Sequence, residues 1–449
     1  MQNSAASRYQ FIAHALNGDG PFRPVVSHDA HGQPITVQSS YLVRYPRESD
    51  LKFSRRNEVA FFDSPMAQAA GDFVGYLSER NPVRNLPHAL YKTIADDADG
   101  KGNSIDVFWQ AFMIEAKARG CMCLLVDMPA MDADTMGEQI SDRVAPYLAA
   151  IKPEQITEYE IGQDGKFVFA EFAGRYIKDD GERVDASWRF DRFGWEVRAI
   201  KGGAILDAGE HPLDQCPILI FTEGGDFPAF GPFAPIADLS KRLFNLDSEL
   251  DEILRAQTFS LLTMQVPEGS TDSQKIDAAR VVGETIGTAN LMVHTGSTPT
   301  FIAPDAGPAA TYAARIDAIR ARINEIGLAI ASPNQRESGI SMQMRFHKIN
   351  AALAKFASQM EDLERRAWDL CRQWLGMSAA PEVQWSRDYS LADATTELDV
   401  LASMQATGMP AEVIREQQRR IVAVQFSGAD QAVVEDIHRA IDERAQEVA

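Results

Sequence analysis

The apolar positions change period several times along the chain. Between Phe53 and Ser78 they recur near three and four (Phe61, Phe62, Met66, Ala70, Phe73), which predicts a helix closed off by Pro82 and Pro87. A second helix is predicted from Ser104, a capping residue, to Arg119, with Gly120 as its stop. Cys121 to Met128 is a short, continuously apolar run, the mark of a buried strand. Over residues 146–222 the pattern becomes alternation: Phe167 to Phe172, Ser187 to Asp191 and Trp195 to Ile200, with turns at Gln163-Asp164-Gly165 and Asp179-Asp180-Gly181. Such strands predict a sheet with one wet face. Cys216 to Phe221 is one more apolar run, and the stretch rich in Gly, Pro and Phe from Gly224 to Pro235 marks a boundary.

Beyond it the period is helical and long. Leu239, Leu243, Leu246, Leu250 and Ile253 form a heptad seam within Ile236 to Gln257, and Tyr312, Ile316, Ile319, Ile323, Ile326 and Ile330 form another within Ala310 to Ile330. Charged residues flank both. A third series runs unbroken from Met342 to Trp374, a helix of roughly 50 Å at 1.5 Å per residue. Helices of this kind pack beside long neighbours, within one bundle or between subunits. Between the first two seams, Leu261 to Pro304 reads as a small α/β insert: a strand to Val266, a helix from Thr271 to Gly283, and two strands across Thr295-Gly296-Ser297. Pro381 to Trp385 is a short strand candidate, and Leu391 to Ala449 is mostly helical, with eleven acids against five arginines and no lysine. The first ~50 residues mix Gly, Pro, His and Asp with few apolar clusters and predict an arm or irregular entry.

The formal net charge of -20 speaks against wrapping around DNA, since non-specific affinity comes from cations that neutralise phosphates. No run approaches the roughly 18 apolar residues of a membrane helix, and Met1 to Leu16 lacks the pattern of a signal peptide, so the chain is expected to be made and kept in the cytoplasm. Cys121, Cys123, Cys216 and Cys371 are too few and scattered for a disulfide framework, and read as small apolar residues. Asp97-Ala98-Asp99-Gly100-Lys101-Gly102-Asn103 begins like a calcium loop, but Lys101 and Phe108 stand at its fifth and twelfth positions, so a solvated turn is expected. The eight histidines are spread out; His28 and His31 alone lie close together, in the arm. No phosphate-binding loop, zinc-protease motif, serine elbow or Cys-x-x-Cys is present, and no nucleophile, base and orienter come together. Neither enzyme chemistry nor a cofactor or metal is expected.

Three stretches carry a resemblance. They are Asp96 to Pro129, ending in GCMCLLVDMPA; Pro146 to Tyr159, within VAPYLAAIKPEQITEYE; and Pro232 to Gln265, continuing to the segment Ala331 to Gly339 and the long helix after it. In this order they resemble the portal proteins of tailed bacteriophages, over residues 40–420, although the chain is short for that family. The resemblance implies an α+β, mostly helical fold: an N-terminal arm (1–40), a wing (41–235), a first stem helix (236–262), a clip (263–305), a second stem helix (306–331), a tunnel loop (332–343), a long wing helix and strand (344–390) and a small helical crown (391–449). It implies a ring, a dodecamer in that family, at one vertex of the virion. Its partners would be the terminase large subunit, a head-completion or adaptor protein, the major capsid protein, and double-stranded DNA passing without sequence preference; no membrane is involved. The packing seam would be Leu239, Leu243, Leu246, Leu250, Ile316, Ile319, Ile323 and Ile326; the clip would present Gln265, Glu268, Lys275 and His294; and Asn334, Gln335, Arg336, Glu337 and Ser338 would line the channel. A helical scaffold or adaptor is the alternative reading, and an enzyme with residues distant in sequence a further one.

Overall fold

A computed structural model describes residues 2–32, 34–129, 144–178, 180–258, 261–263, 271–273, 300–302, 307–328, 339–389, 394–425 and 431–446. In chain order the elements are helix α1 (Gln2–Asn17); strands β1 (Val25–His28) and β2 (Pro34–Gln38); helices α2 (Asp50–Val59) and α3 (Pro65–Ser78); β3 (Val83–Asn85); α4 (Ala89–Asp96) and α5 (Ile105–Arg119); and β4 (Cys121–Asp127). Then come β5 (Tyr147–Ile151), β6 (Ile156–Ile161), β7 (Phe167–Ile177), β8 (Arg183–Asp191), β9 (Gly194–Ala199), β10 (Ile205–Glu210) and β11 (Ile218–Thr222). Helix α6 (Ala234–Thr258), strands β12 (Leu261–Thr263) and β13 (Thr300–Ile302), helices α7 (Gly307–Ile326) and α8 (Gly339–Trp374), β14 (Glu382–Gln384), α9 (Ala394–Ala406), α10 (Ala411–Gln425) and α11 (Gln431–Gln446) complete the described chain. The fold is therefore mixed α+β, with eleven α-helices and several small sheets among the described residues. The chain divides into two compact units: Met1–Asn17, Ser64–Asp238 and Ile323–Ala449 form one, and Gly18–Asp63 with Leu239–Arg322 form the other.

The first unit is layered on β4. Its sheet has the order β11-β4-β5, all antiparallel, and Cys121 through Val126 are buried along the whole strand. Cys121, Cys123 and Leu125 point to a core shared with Tyr9, Phe167, Phe190 and Phe227. The alternate residues point the other way, where Phe221, opposite Met122, meets Phe112 of α5 and Phe356 of α8. Both faces are covered, which is why the run is continuously apolar rather than alternating. The five-stranded meander β10-β9-β8-β7-β6 does alternate: Ala186 and Phe190 are buried while Arg189, on the other face, lies 3.8 Å over the ring of Phe169. All four cysteines are free and buried, and burial pushes the Cys216 thiol up to about 12, so they behave as apolar residues.

The long helix α8 is the second wall of this unit. Arg366 donates to the carbonyl of Ile220 at 3.1 Å and Gln359 to that of Glu223 at 3.1 Å, covering β11 at the edge of its sheet, while Trp374 Nε1 donates to Val126 O at 3.1 Å. Deeper in, the fully buried Glu364 accepts from Arg84 Nε at 2.6 Å, Trp385 Nε1 at 2.8 Å and Trp368 Nε1 at 3.2 Å. Arg84 also reaches Asp106 at 2.6 Å, so β3, α8 and the residue after β14 meet at the Glu364 carboxylate and Arg84 extends the link to α5. β14 pairs antiparallel with β3, as the strand candidate near Val383 requires.

Two expectations are corrected. The first 17 residues are not irregular: α1 buries Tyr9, Ile12, Ala15 and Leu16, because those residues recur at three, three and one and form a single apolar stripe that the surrounding polar composition masks. Arg8 pairs with Asp238 in the same unit. The helix expected over 53–78 is two helices, since Ser64 turns its side chain back to cap α3 by accepting from Ala67 N at 3.2 Å, and Pro65 occupies the first turn where its missing N–H costs nothing. Ser104 and the left-handed Gly120 bound α5 as predicted; a Cβ on Gly120 would lie 1.8 Å from the main-chain nitrogen of Gly231.

Replacing Glu364 with Leu leaves two indole N–H groups without an acceptor and Arg84 half-neutralised. The expected loss is about 3 to 5 kcal/mol, read as a lower urea midpoint for the tryptophan fluorescence transition; Glu364→Gln, which keeps an acceptor, should lose less.

Candidate functional site

The second unit contains most of both predicted seams, and its packing explains how α6 and α7 are held. Phe22 stacks on Phe62 with ring centroids 3.8 Å apart, and Phe244 of α6 meets both edge-on at 5.6 Å. Asn245 accepts from Val43 N at 2.7 Å and donates to Tyr41 O at 3.0 Å, fastening the chain before α2 to the helix. Lys241 lies 4.9 Å over the ring of Tyr41.

Arg56 of α2 is the centre of this arrangement. It is 1% exposed and makes two hydrogen bonds to Glu48, both 2.9 Å, and one to Val43 O at 2.6 Å, beneath the ring of Tyr45 at 4.5 Å. Burial works to raise the Glu48 pKa, but the Arg56 hydrogen bonds and the Tyr45 N–H outweigh it and hold it below the usual carboxylate range. Tyr45 and Tyr312 both hydrogen-bond to Glu249 of α6; burial raises Tyr45, and the Glu249 hydrogen bond is the main cause raising Tyr312. Arg320 of α7 approaches Asp247 of α6 at 3.8 Å. The two helices are therefore linked at their flanks by polar contacts, besides any apolar packing.

The seam residues fall into two groups. Leu243, Ile316, Ile319 and Ile323 are buried within the single chain, whereas Leu239, Leu246, Leu250 and Ile326 remain half-buried. Strands β12 and β13 pair antiparallel, with Leu261 opposite Ile302, at the ends of the insert. Gln265, Glu268, Lys275 and His294, and the loop residues Asn334, Gln335, Arg336, Glu337 and Ser338, lie outside the described residues. Arg56, Glu48 and Asn245 were not singled out in the sequence, and no motif marks them; an arginine followed by Asn57 in a charged helix has the pattern of a solvated face.

Other candidate chemistry resolves into local structure. In the calcium-like stretch, Asp97 accepts from Gly102 N at 2.8 Å, and Asp99 accepts from Lys101 N at 3.1 Å and Asn103 Nδ2 at 2.9 Å, so these oxygens serve their own turn. Burial works to raise the Asp99 pKa and these hydrogen bonds lower it below the usual value. Among the described residues no three His, Cys, Asp or Glu side chains are grouped to hold a metal ion, and no helix is long and apolar enough to cross a membrane. His28 pairs with Glu58 at 2.9 Å.

No family model and no curated protein matches the chain. Among solved structures it is similar to a chain of the virion of a native gene transfer agent particle, at 12% identity and a TM-score of 0.44, covering 89% of this chain and 96% of that one. It is also similar to a chain of the neck of the native particle computed with C12 symmetry, at 12% identity and a TM-score of 0.45, covering 76% and 86%. A third similarity is to an HK97 family phage portal protein from Corynebacterium diphtheriae, at 10% identity and a TM-score of 0.36, covering 72% and 92%.

Arg56→Met leaves Glu48 buried without its cation and should destabilise the second unit by about 3 kcal/mol or more. The pH dependence has a definite sign. Because the folded pKa of Glu48 lies below its unfolded value near 4.3, its contribution is present above that value and is lost as pH falls through the lower, folded one. Acid unfolding of the wild type should show this loss, and Glu48→Gln should flatten it; an unchanged acid limb would count against the assignment.

Proposed function

We propose that this chain is the subunit of a portal ring in a tailed-phage-like particle, a structural channel for DNA and not an enzyme. The observation that carries the reading is the pair of heptad-patterned helices α6 and α7, in which Leu239, Leu246, Leu250 and Ile326 stay half-buried in the single chain. Apolar seam positions left partly open on long helices are satisfied when a neighbouring copy covers them. The order of motifs from Asp96 to the long helix α8 supports the same reading.

In this proposal, 236–262 and 306–331 are stem helices, 263–305 the clip that meets the terminase large subunit and later a head-completion or adaptor protein, and 391–449 a crown inside the capsid. Residues 41–235 and 344–390 form the wing. The ring sits at one vertex of the major capsid protein's shell, passes DNA inward during packaging and outward at ejection, and is a dodecamer. Asn334, Gln335, Arg336, Glu337 and Ser338 face the channel, where one arginine per subunit touches phosphates weakly enough for sliding.

Light scattering and negative-stain images of the purified chain test the proposal: rings with a central hole are expected, whereas a monomer to tetramer without one returns the chain to the adaptor or enzyme readings. Leu246→Asp should impair ring assembly while leaving the monomer folded, because that position is half-open in the single chain and a carboxylate there becomes buried only on association. Ile323→Asp should instead unfold the chain locally, since Ile323 is already buried. Arg336→Glu rings should form normally but package or retain DNA less well; wild-type behaviour would reduce that segment to a connector.

A further inference from the structure

Helices α6 and α7 carry opposite charge within the second unit. From Asp247 to Thr258, α6 has Asp247, Glu249, Asp251 and Glu252 against Arg255 alone. From Gly307 through Arg322, α7 has Arg315, Arg320 and Arg322 against Asp317 alone. Within the chain this asymmetry is only partly used: Arg320 approaches Asp247, and Arg255 pairs with Glu252. Asp251 and Arg315 are both exposed, and neither makes an ion pair among the described residues.

The shapes beside these two charges match as well. On α6, Leu254 stands one turn from Asp251 and is 45% exposed, an apolar knob beside an acid. On α7, Thr311, Ala314, Arg315 and Ala318 occupy positions i, i+3, i+4 and i+7 and are all exposed. Four residues at that spacing form the diamond that accepts a knob from a facing helix, and here three are small and the fourth is a cation.

We infer that the occupant of the α7 diamond is Leu254 of a second copy of this chain, with Asp251 of that copy paired to Arg315. The inference rests on the ring reading and deepens it. The interface is heterologous: the acidic flank of one copy meets the basic flank of the next. Such head-to-tail contacts close into a ring when the rotation between copies permits. Charge sets the direction in which copies add, because acid against acid and base against base repel.

A charge swap tests this in the full-length protein. Asp251→Arg and Arg315→Asp, measured separately and together by sedimentation velocity at low and high salt, alter exposed positions, and circular dichroism checks that each variant is folded. Each single reversal should weaken self-association by about tenfold or more through like-charge juxtaposition, with part of the loss recovered at high salt, where the wild type is itself weakened. The double variant should assemble as the wild type does. Leu254→Ala should weaken assembly without altering the salt dependence. If the wild type forms rings but the single reversals assemble equally well, or the double variant is no better than the singles, the pairing is overturned while the ring reading stands. If the wild type is monomeric at all concentrations, the ring reading fails and the pairing with it.

Discussion

The buried ammonium of Lys117 ties together segments of the first unit that are distant in sequence. It is buried on α5, 2.5 Å from Glu223 at the end of β11, and its Nζ lies 4.1 Å over the ring of Phe73 on α3, 4.6 Å over Phe233 just before α6 and 5.2 Å over Phe356 on α8. Three helices, a strand and the entry to a fourth helix thus converge on one charge. Burial lowers its pKa and the Glu223 carboxylate works against that lowering. The contact between Gly120 and Gly231 lies beside it and demands that both positions lack a side chain. Between them, these contacts set where α6 begins.

Three buried charge centres, at Lys117, Glu364 and Arg56, repeat one device. In each, the charged group reaches at least one segment far away in sequence: Glu223 from Lys117, Arg84 from Glu364 and Ser248 from Arg56. Buried pairs of this kind contribute modestly to net stability against apolar residues of equal volume, but they tolerate few alternative packings. Long helices with seams of Leu and Ile can slide by a heptad with little change in burial. The buried carboxylate of Glu364 on α8 and the hydrogen-bonding groups of Asn245 and Glu249 on α6 oppose that sliding.

Periodicity made the secondary structure legible where burial is one-sided or continuous: α5, β4, the three meander strands β7, β8 and β9, and the three long helices follow from spacing, and residue type marks the caps of α5. It was least informative where a single residue overrules a pattern. Ser64 and Pro65 split a helix whose apolar spacing continues across the break, and α1 has a stripe too short to stand out from its polar neighbours. The centres at Arg56, Glu364 and Lys117 were not legible because most of their partners lie from 8 to 280 residues away, and a buried arginine has the same local pattern as a surface one. The seam was legible as a stripe, but its division into residues buried by the chain itself and residues left half-open depends on tertiary packing.

In the portal reading proposed above, the charge balance of the helical tail bears on how so acidic a chain would surround a polyanion. In the tail, every arginine with a described side chain is paired with acids: Arg415 with Glu412, Arg419 with Glu416 and Asp442, Arg420 with Asp388 and Glu397, and Arg439 with Asp436. Because acids outnumber arginines there by eleven to five, pairing leaves the segment negative rather than neutral. Affinity for DNA grows with the number of phosphates that cations neutralise, and cations already held by carboxylates neutralise few. A surface of this kind has little affinity for a duplex. In the proposed ring the complement of Arg315, exposed on α7 beside Ala314 and Ala318, is an acid of a neighbouring copy.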